Sequence, residues 1–111
     1  MIIDQKEIVL LPFPFSDLEG TRVRPALVVS NDELNKKSDD CIMVPLITII
    51  KQEPYSVIIK QEDLSSGRLL KSSRIRTDKI FSVKKDLVTM KIGVVNGKVL
   101  ERVKKEIQNM F

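Results

Sequence analysis

The sequence predicts a mainly β protein, a small and strongly curved sheet or barrel closed by one C-terminal helix. Three observations carry this reading. Short runs rich in Val and Ile alternate with clusters of turn residues along most of the chain. Apolar residues recur at spacings of three and four near its end. The chain is 111 residues long, enough for one domain with one core. With 42% apolar and 31% charged residues it has the composition of a folded globular protein, and no repeat, linker or low-complexity stretch divides 1–111.

Taken in order, Ile8-Val9-Leu10-Leu11 reads as a strand that stops at Pro12-Phe13-Pro14-Phe15, where neither proline can donate to a ladder. A loop of turn residues, 16–21, leads into a second strand, 22–30. Within it Pro25 forces Arg24 towards extended geometry and places this end at a sheet edge or bend. One helical turn is expected at 31–34 and a loop at 35–40. The third strand is 41–50, and 55–60 is a fourth, after turn material at 51–54. Ser65-Ser66-Gly67 marks another turn. Further extended segments are expected at 69–76, 79–83 and 87–95, the last broken by Gly93. Asn96 is a good helix N-cap, and Val99, Leu100, Val103, Ile107 and Met110 then fall on one helical face. Lys98, Arg102, Lys104 and Lys105 lie mainly around the other faces.

Composition removes several kinds of chemistry. Histidine is absent, and with it the commonest general base and metal ligand and every Ser/His or Cys/His arrangement. No metal-ligand spacing, phosphate-cradling glycine loop or dinucleotide fingerprint is present, so neither a metal nor a cofactor is expected. No apolar run reaches the roughly 18–20 residues that span a bilayer, and the first residues lack the pattern of a secretion signal. A cytoplasmic protein without a membrane role is expected. The single cysteine, Cys41, sits in an apolar stretch that suits a buried, inert thiol.

The net charge of +4 is unevenly spread. Residues 1–70 hold 8 Lys or Arg against 11 Asp or Glu, and 71–111 hold 11 against 4. A basic second part suits a polyanion such as nucleic acid, and equally a solvated helix face with ordinary strand lysines. Arg22 and Arg24, two apart on a strand, leave the same face and can form a phosphate clamp, or pair with Asp17, Glu19 or Asp32 on the surface. Thr48 is the one hydroxyl within the apolar run 42–50, which an ordinary strand threonine would also explain. Ser73, Arg74, Arg76, Asp78 and Lys79 are dense enough to line a groove or to cover a solvated strand. Phe13, Phe15 and Tyr55 can stack bases or fill a core, and Phe13 fits the core better.

Three blocks of this sequence resemble the MazF/PemK family of toxin endoribonucleases. They are Glu7-Ile8-Val9-Leu10-Leu11-Pro12-Phe13-Pro14-Phe15, the most specific block Arg22-Val23-Arg24-Pro25-Ala26-Leu27-Val28-Val29-Ser30, and Val44-Pro45-Leu46-Ile47-Thr48 followed by Pro54-Tyr55-Ser56-Val57. A weaker block, 69–79, is similar to the segment where many members read Ile-Arg and then Asp-Lys. Lys6-Glu7 departs from the family's usual Gly-Asp, and Ser72 stands where a related branch often has Pro.

The resemblance implies an SH3-like barrel of the MazF/CcdB/PemK type with a C-terminal helix. It implies a type II toxin, a metal-independent endoribonuclease that cuts single-stranded mRNA at short motifs to leave 2′,3′-cyclic phosphate and 5′-hydroxyl ends. By match to the family's motifs Arg24 and Thr48 are the expected catalytic pair. Phe15, Arg22, Ser30, Asn31, Ser73, Arg76 and Lys79 are the expected RNA contacts. A homodimer is implied, restrained by an antitoxin protein with a disordered acidic tail. Two other activities fit the same barrel: poisoning of a protein target such as gyrase, as the CcdB toxins do, and binding of RNA without cleavage. Loops 16–21 and 35–40 are the candidates for setting specificity.

Overall fold

The computed structural model describes residues 1–13 and 22–111. Eight antiparallel strands are found among them: β1 (Glu7–Phe13), β2 (Arg22–Val28), β3 (Asp40–Ile47), β4 (Ser56–Ile59), β5 (Leu64–Gly67), β6 (Ser73–Arg76), β7 (Phe81–Lys84) and β8 (Met90–Val95). Two α-helices, α1 (Asp32–Lys37) and α2 (Gly97–Gln108), and two short 3-10 turns, Gln61–Asp63 and Lys85–Leu87, complete the set. The strands form one curled sheet in the order β4-β6-β3-β2-β1-β8-β5, with β7 also paired to β3. The fold is thus mostly β, a half-barrel of antiparallel strands with a C-terminal helix, as the sequence predicts. No described helix is long and apolar enough to cross a membrane.

The central strands are buried on both faces, which is why they read as near-continuous apolar runs rather than as alternating ones. Side chains of successive residues leave opposite faces of a strand. Ile8, Leu27, Val44 and Leu46 accordingly enter one core with Val57, Ile59, Ile75 and Val95, and Val99 and Val103 of α2 complete it. Val9, Leu11, Phe13, Ala26, Val28, Cys41 and Met43 enter a second core on the other face, closed by Ile3 and Val88. Burying each such side chain contributes about 1.5–3 kcal/mol. The Asn96 side chain caps α2 by accepting from the Val99 amide, as its place before the periodic segment predicts.

Three of the described prolines lie inside strands, each where its strand has one described strand neighbour only. Pro12 pairs with Val23 of β2, but the ladder between β1 and β8 has already ended at Leu10 and Met90. The first strand therefore runs through Pro12 and Phe13 instead of stopping at the proline. Pro25 pairs with Leu10, while the ladder between β2 and β3 begins only at Ala26. The second strand is interior in the sheet, yet its first four residues form a local edge. Pro45 pairs with Ala26 and occupies a gap on its other side, between β7, which ends at Met43–Phe81, and β6, which begins at Leu46–Ile75. At Pro45 the third strand changes partners.

Other expectations are corrected by long-range contacts. Residues 64–67, read as a turn, form β5, and Gly93, read as a break, is an interior position of β8 that pairs with Ile8 and Gly67. Gly67 has φ +84°, and a Cβ on it would lie 2.3 Å from the Gly93 Cα, so both glycines mark a close approach of two backbones. The segment 31–37 is longer in helix than expected. Asn31 caps α1, Asp32 and Glu33 lie at its start and Lys36 and Lys37 at its end, in accord with the helix dipole.

Candidate functional site

The partner change of β3 opens a cavity. Beyond Pro45 the third strand turns to β6, and among the described strands the Arg22–Pro25 half of β2 has only β1 beside it. The space between them, about 510 Å³, is lined by Phe13, Arg24, Pro45, Leu46 and Ile47 and by Arg76, Lys79, Ile80 and Phe81. The rings of Phe13 and Phe81 meet edge to face, 5.2 Å apart at 64°. Apolar walls with three cations among them make a site for a ligand with a flat apolar part and an anionic part. Two other hollows among the described residues, at Met1, Asp39 and Lys84–Asp86 and at the start of α2, contain none of the residues of the sequence motifs apart from their flanks.

The arginines of this region have different fates. Arg24 is half-buried, its Nε is fully enclosed, and that donor has no hydrogen-bond partner among the described residues. Neither Arg22 nor Arg24 has an ion-pair partner among them. Asp32, one of the carboxylates considered for them, instead accepts from the Gln5 amide at 2.8 Å, and Asp17 and Glu19 lie outside the described residues. Arg76 is held by Asp78 through Nε at 3.0 Å and Nη2 at 2.6 Å. That hydrogen bond raises the guanidinium's pKa and holds the Asp78 carboxyl below its ordinary range. Arg74, on the same face of β6, is buried and directed to the segment after β3: its Nε donates to the Ile49 carbonyl and its Nη1 to Glu53 Oε2, each at 3.3 Å.

Of the residues expected to act on RNA, the fold therefore brings Arg24, Arg76 and Lys79 together around one cavity. Thr48 is exposed and follows Ile47, which lines that cavity. Arg22 is exposed at the start of β2, on the same face as Arg24. Phe15 lies outside the described residues, as does loop 16–21. Ser30 and Asn31 are committed elsewhere. The Ser30 hydroxyl donates to Asn35 Oδ1 at 2.5 Å and accepts from the Ile42 amide, and the Asn31 side chain caps α1. Ser73 is buried, shares its face with Ile75, and donates to the Lys71 carbonyl. Segment 35–40 contributes nothing to the cavity wall.

Pro45, Leu46, Ile47, Ile80 and Phe81 are the lining residues that sequence reasoning did not single out. Only the proline carried a usable signal, a strand residue without a donor. Cys41 is fully buried, and burial pushes its thiol up to about 11, so it stays a neutral thiol at neutral pH. Among the described residues no three His, Cys, Asp or Glu side chains cluster as a metal site would require.

Comparison with known proteins speaks to the fold and the family. No curated protein matches the sequence. Solved structures match the fold over nearly the whole chain. A MazE–MazF complex from Deinococcus radiodurans superposes with a TM-score of 0.81 at 20% identity, covering 99% of this chain and 96% of that one. An endoribonuclease from a Mycobacterial species, in complex with its cognate antitoxin, gives 0.79 at 18% identity over 96% and 92%. The Mycobacterium tuberculosis toxin MazF-mt6 gives 0.75 at 14% identity over 93% of each chain. At these identities the likeness speaks for the fold. The family itself is fixed by sequence, since residues 4–111 match the description PemK-like, MazF-like toxin of type II toxin-antitoxin system. With a strand pair parted at two prolines, a cation-lined cavity in the gap and a family match over all but the first three residues, this chain belongs to the PemK-like, MazF-like toxins of type II toxin-antitoxin systems.

Proposed function

We propose that this protein is a metal-independent endoribonuclease that cleaves single-stranded RNA in the cytoplasm at short sequence motifs. Its substrate is mRNA, and its products carry 2′,3′-cyclic phosphate and 5′-hydroxyl ends. The observation that carries the proposal is the Arg24 guanidinium, whose enclosed and unpaired Nε stands in the wall of a cavity with aromatic and cationic sides. A buried donor left without a partner costs about 1–3 kcal/mol, and a phosphate oxygen would satisfy it.

In this mechanism a base lies against the apolar wall and its 3′-phosphate meets Arg24, with Arg76 and Lys79 adding charge. The 2′-hydroxyl of the same nucleotide attacks the phosphorus, loses its proton, and the bond to the 5′-oxygen breaks as that oxygen gains one. Arg24 donates to the non-bridging oxygens as negative charge builds there. Thr48, through its hydroxyl, holds the phosphate or passes a proton. Neither is a base at neutral pH, so the rate rests on alignment and charge stabilisation. Asp78 competes with phosphate for Arg76 and must be displaced or shared when RNA binds.

The active unit in this proposal is a homodimer, and the restraining partner is an antitoxin with a disordered acidic tail, whose carboxylates suit the same cations. The relatives from Deinococcus radiodurans and from a Mycobacterial species are seen with their antitoxins, which supports that part of the reading. The test is incubation of wild-type, Arg24→Ala and Thr48→Ala proteins with a long single-stranded RNA in EDTA, with the ends mapped. Cuts at recurring short motifs are expected from wild type, with cleavage slowed about a hundredfold or more in both variants. Salt-sensitive binding without cuts would replace this reading with a non-catalytic RNA-binding barrel.

A further inference from the structure

We infer that Arg74 is a positioning residue of the catalytic site, a staple that fixes the peptide carrying Thr48. The inference rests on the assignment of Thr48 to catalysis made above. Thr48 lies just beyond the end of β3, where the ladder to β6 closes with Ile47 opposite Arg74. It has no strand neighbour of its own. Its two flanking residues are both tied to Arg74, Ile47 through the backbone register and Ile49 through its carbonyl, which accepts from the Arg74 Nε at 3.3 Å. The same guanidinium reaches on to Glu53 Oε2 at 3.3 Å, so one planar fork holds two points of the segment that follows Thr48.

The Arg74 side chain is 5% exposed while that of Glu53 is 49% exposed. A buried cation leaning outward to a half-exposed carboxylate is weak as a stability device. It is well suited to fixing a geometry, because the fork is rigid and its stem is enclosed. The far end of the segment is anchored independently. Tyr55 sits at φ +59°, its amide donates to Glu106 of α2 at 3.1 Å, and its carbonyl accepts from both the amide and the hydroxyl of Thr77. With Tyr55 fixed there, the Ser56 hydroxyl donating to the Glu53 carbonyl and β3 ending at Ile47, Arg74 supplies the one side-chain hydrogen bond among the described residues to the backbone next to Thr48.

A misplacement of about 1 Å can cost a reaction that depends on alignment on the order of a hundredfold. Arg74→Met removes both donors and keeps the apolar stem. Glu53→Gln leaves the bond to Ile49 and weakens only the outer point, at a half-exposed side chain where folding is not at stake. The expected result in single-turnover cleavage of RNA is a kcat reduced about 10- to 100-fold in Arg74→Met and about 2- to 5-fold in Glu53→Gln, with KM within about threefold of wild type. In a Thr48→Ala background Arg74→Met should slow cleavage no further, because the staple acts through Thr48. Backbone NMR order parameters at 48–50 should fall from about 0.8 in wild type to below about 0.6 in Arg74→Met, with those of β3 unchanged.

Wild-type kcat in both variants, or an Arg74→Met effect that multiplies that of Thr48→Ala, would overturn the inference. The relaxation experiment needs no cleavage and so separates the two ideas. Lowered order parameters in a protein that cuts no RNA would remove the ribonuclease reading and keep the staple, whereas unchanged order parameters in a protein that cuts would remove the staple alone.

Discussion

Replacing Arg24 with methionine should make this protein more stable and almost inactive. The buried Nε has no partner among the described residues, and such a donor costs about 1–3 kcal/mol. Methionine keeps the unbranched stem against the cavity wall and removes the donor and the charge. It also relieves repulsion from Arg76 and Lys79, which line the same cavity. Against this stands the lost hydration of the half-exposed part of the guanidinium. A net gain of about 1 kcal/mol follows, equivalent to about 4–8 °C in Tm for a domain of this size. Cleavage should fall about 10²–10³-fold, the cost of losing a donor aimed at developing negative charge. Thermal unfolding by circular dichroism and single-turnover cleavage of a labelled RNA read the two effects on the same preparation. A Tm several degrees below wild type, with cleavage retained within about tenfold, would show that Arg24 is a structural cation and would refute the reasoning.

Four further outcomes are expected. Asp78→Asn should tighten RNA binding about 2- to 5-fold at low salt by freeing Arg76; weaker binding in a filter assay would count against competition between carboxylate and phosphate. Because Arg76 holds the Asp78 carboxyl below its ordinary value, the pair contributes stability above the unfolded pKa of about 3.9 and loses it as pH falls through the lower folded value. The acid limb of the wild-type stability curve should therefore flatten in Asp78→Asn. Lys6 has φ +79°, donates its amide to Val28 and accepts from the Val95 amide, so Lys6→Gly should gain about 0.5–1 kcal/mol by denaturant unfolding, and a loss would show that the side chain matters more than the strain. Cys41, buried and with its thiol near 11, should resist alkylation at pH 8 in the folded protein and react at least about a hundredfold faster in urea; rapid labelling of the native protein would contradict its burial.

Lys6 also shows how a departure in sequence becomes physical. The family's usual glycine at this place corresponds to a backbone turn in the left-handed region, and here a lysine occupies it between two strand hydrogen bonds. The neighbouring Glu7 stands in for the usual aspartate, accepting from the Asp4 amide at 2.6 Å and pairing with Lys91 at 2.9 Å. Nothing local in Lys6-Glu7 reveals these partners, since one lies 22 residues away at Val28 and another 89 away at Val95.

The local signals determined the kind of protein this is. Apolar runs gave most strands, Asn31 and Asn96 marked the helix starts, and the spacing 99–110 gave α2, because each depends on backbone preferences within a few residues. The signature blocks named Arg24 and Thr48 as candidates. What the sequence left open was whom each residue would meet. β5 and Gly93 were misread because their meaning lies in the close approach of two backbones, and Pro12 because its ladder depends on where β8 stops. Arg24, Arg74 and Arg76 look alike as residues, yet one is left with an unpaired donor, one is spent on a loop and one is held by Asp78. Those fates were decided by strand register across dozens of residues and by the change of partners at Pro45, because a side chain's partner is set by distance in space and only weakly by distance along the chain.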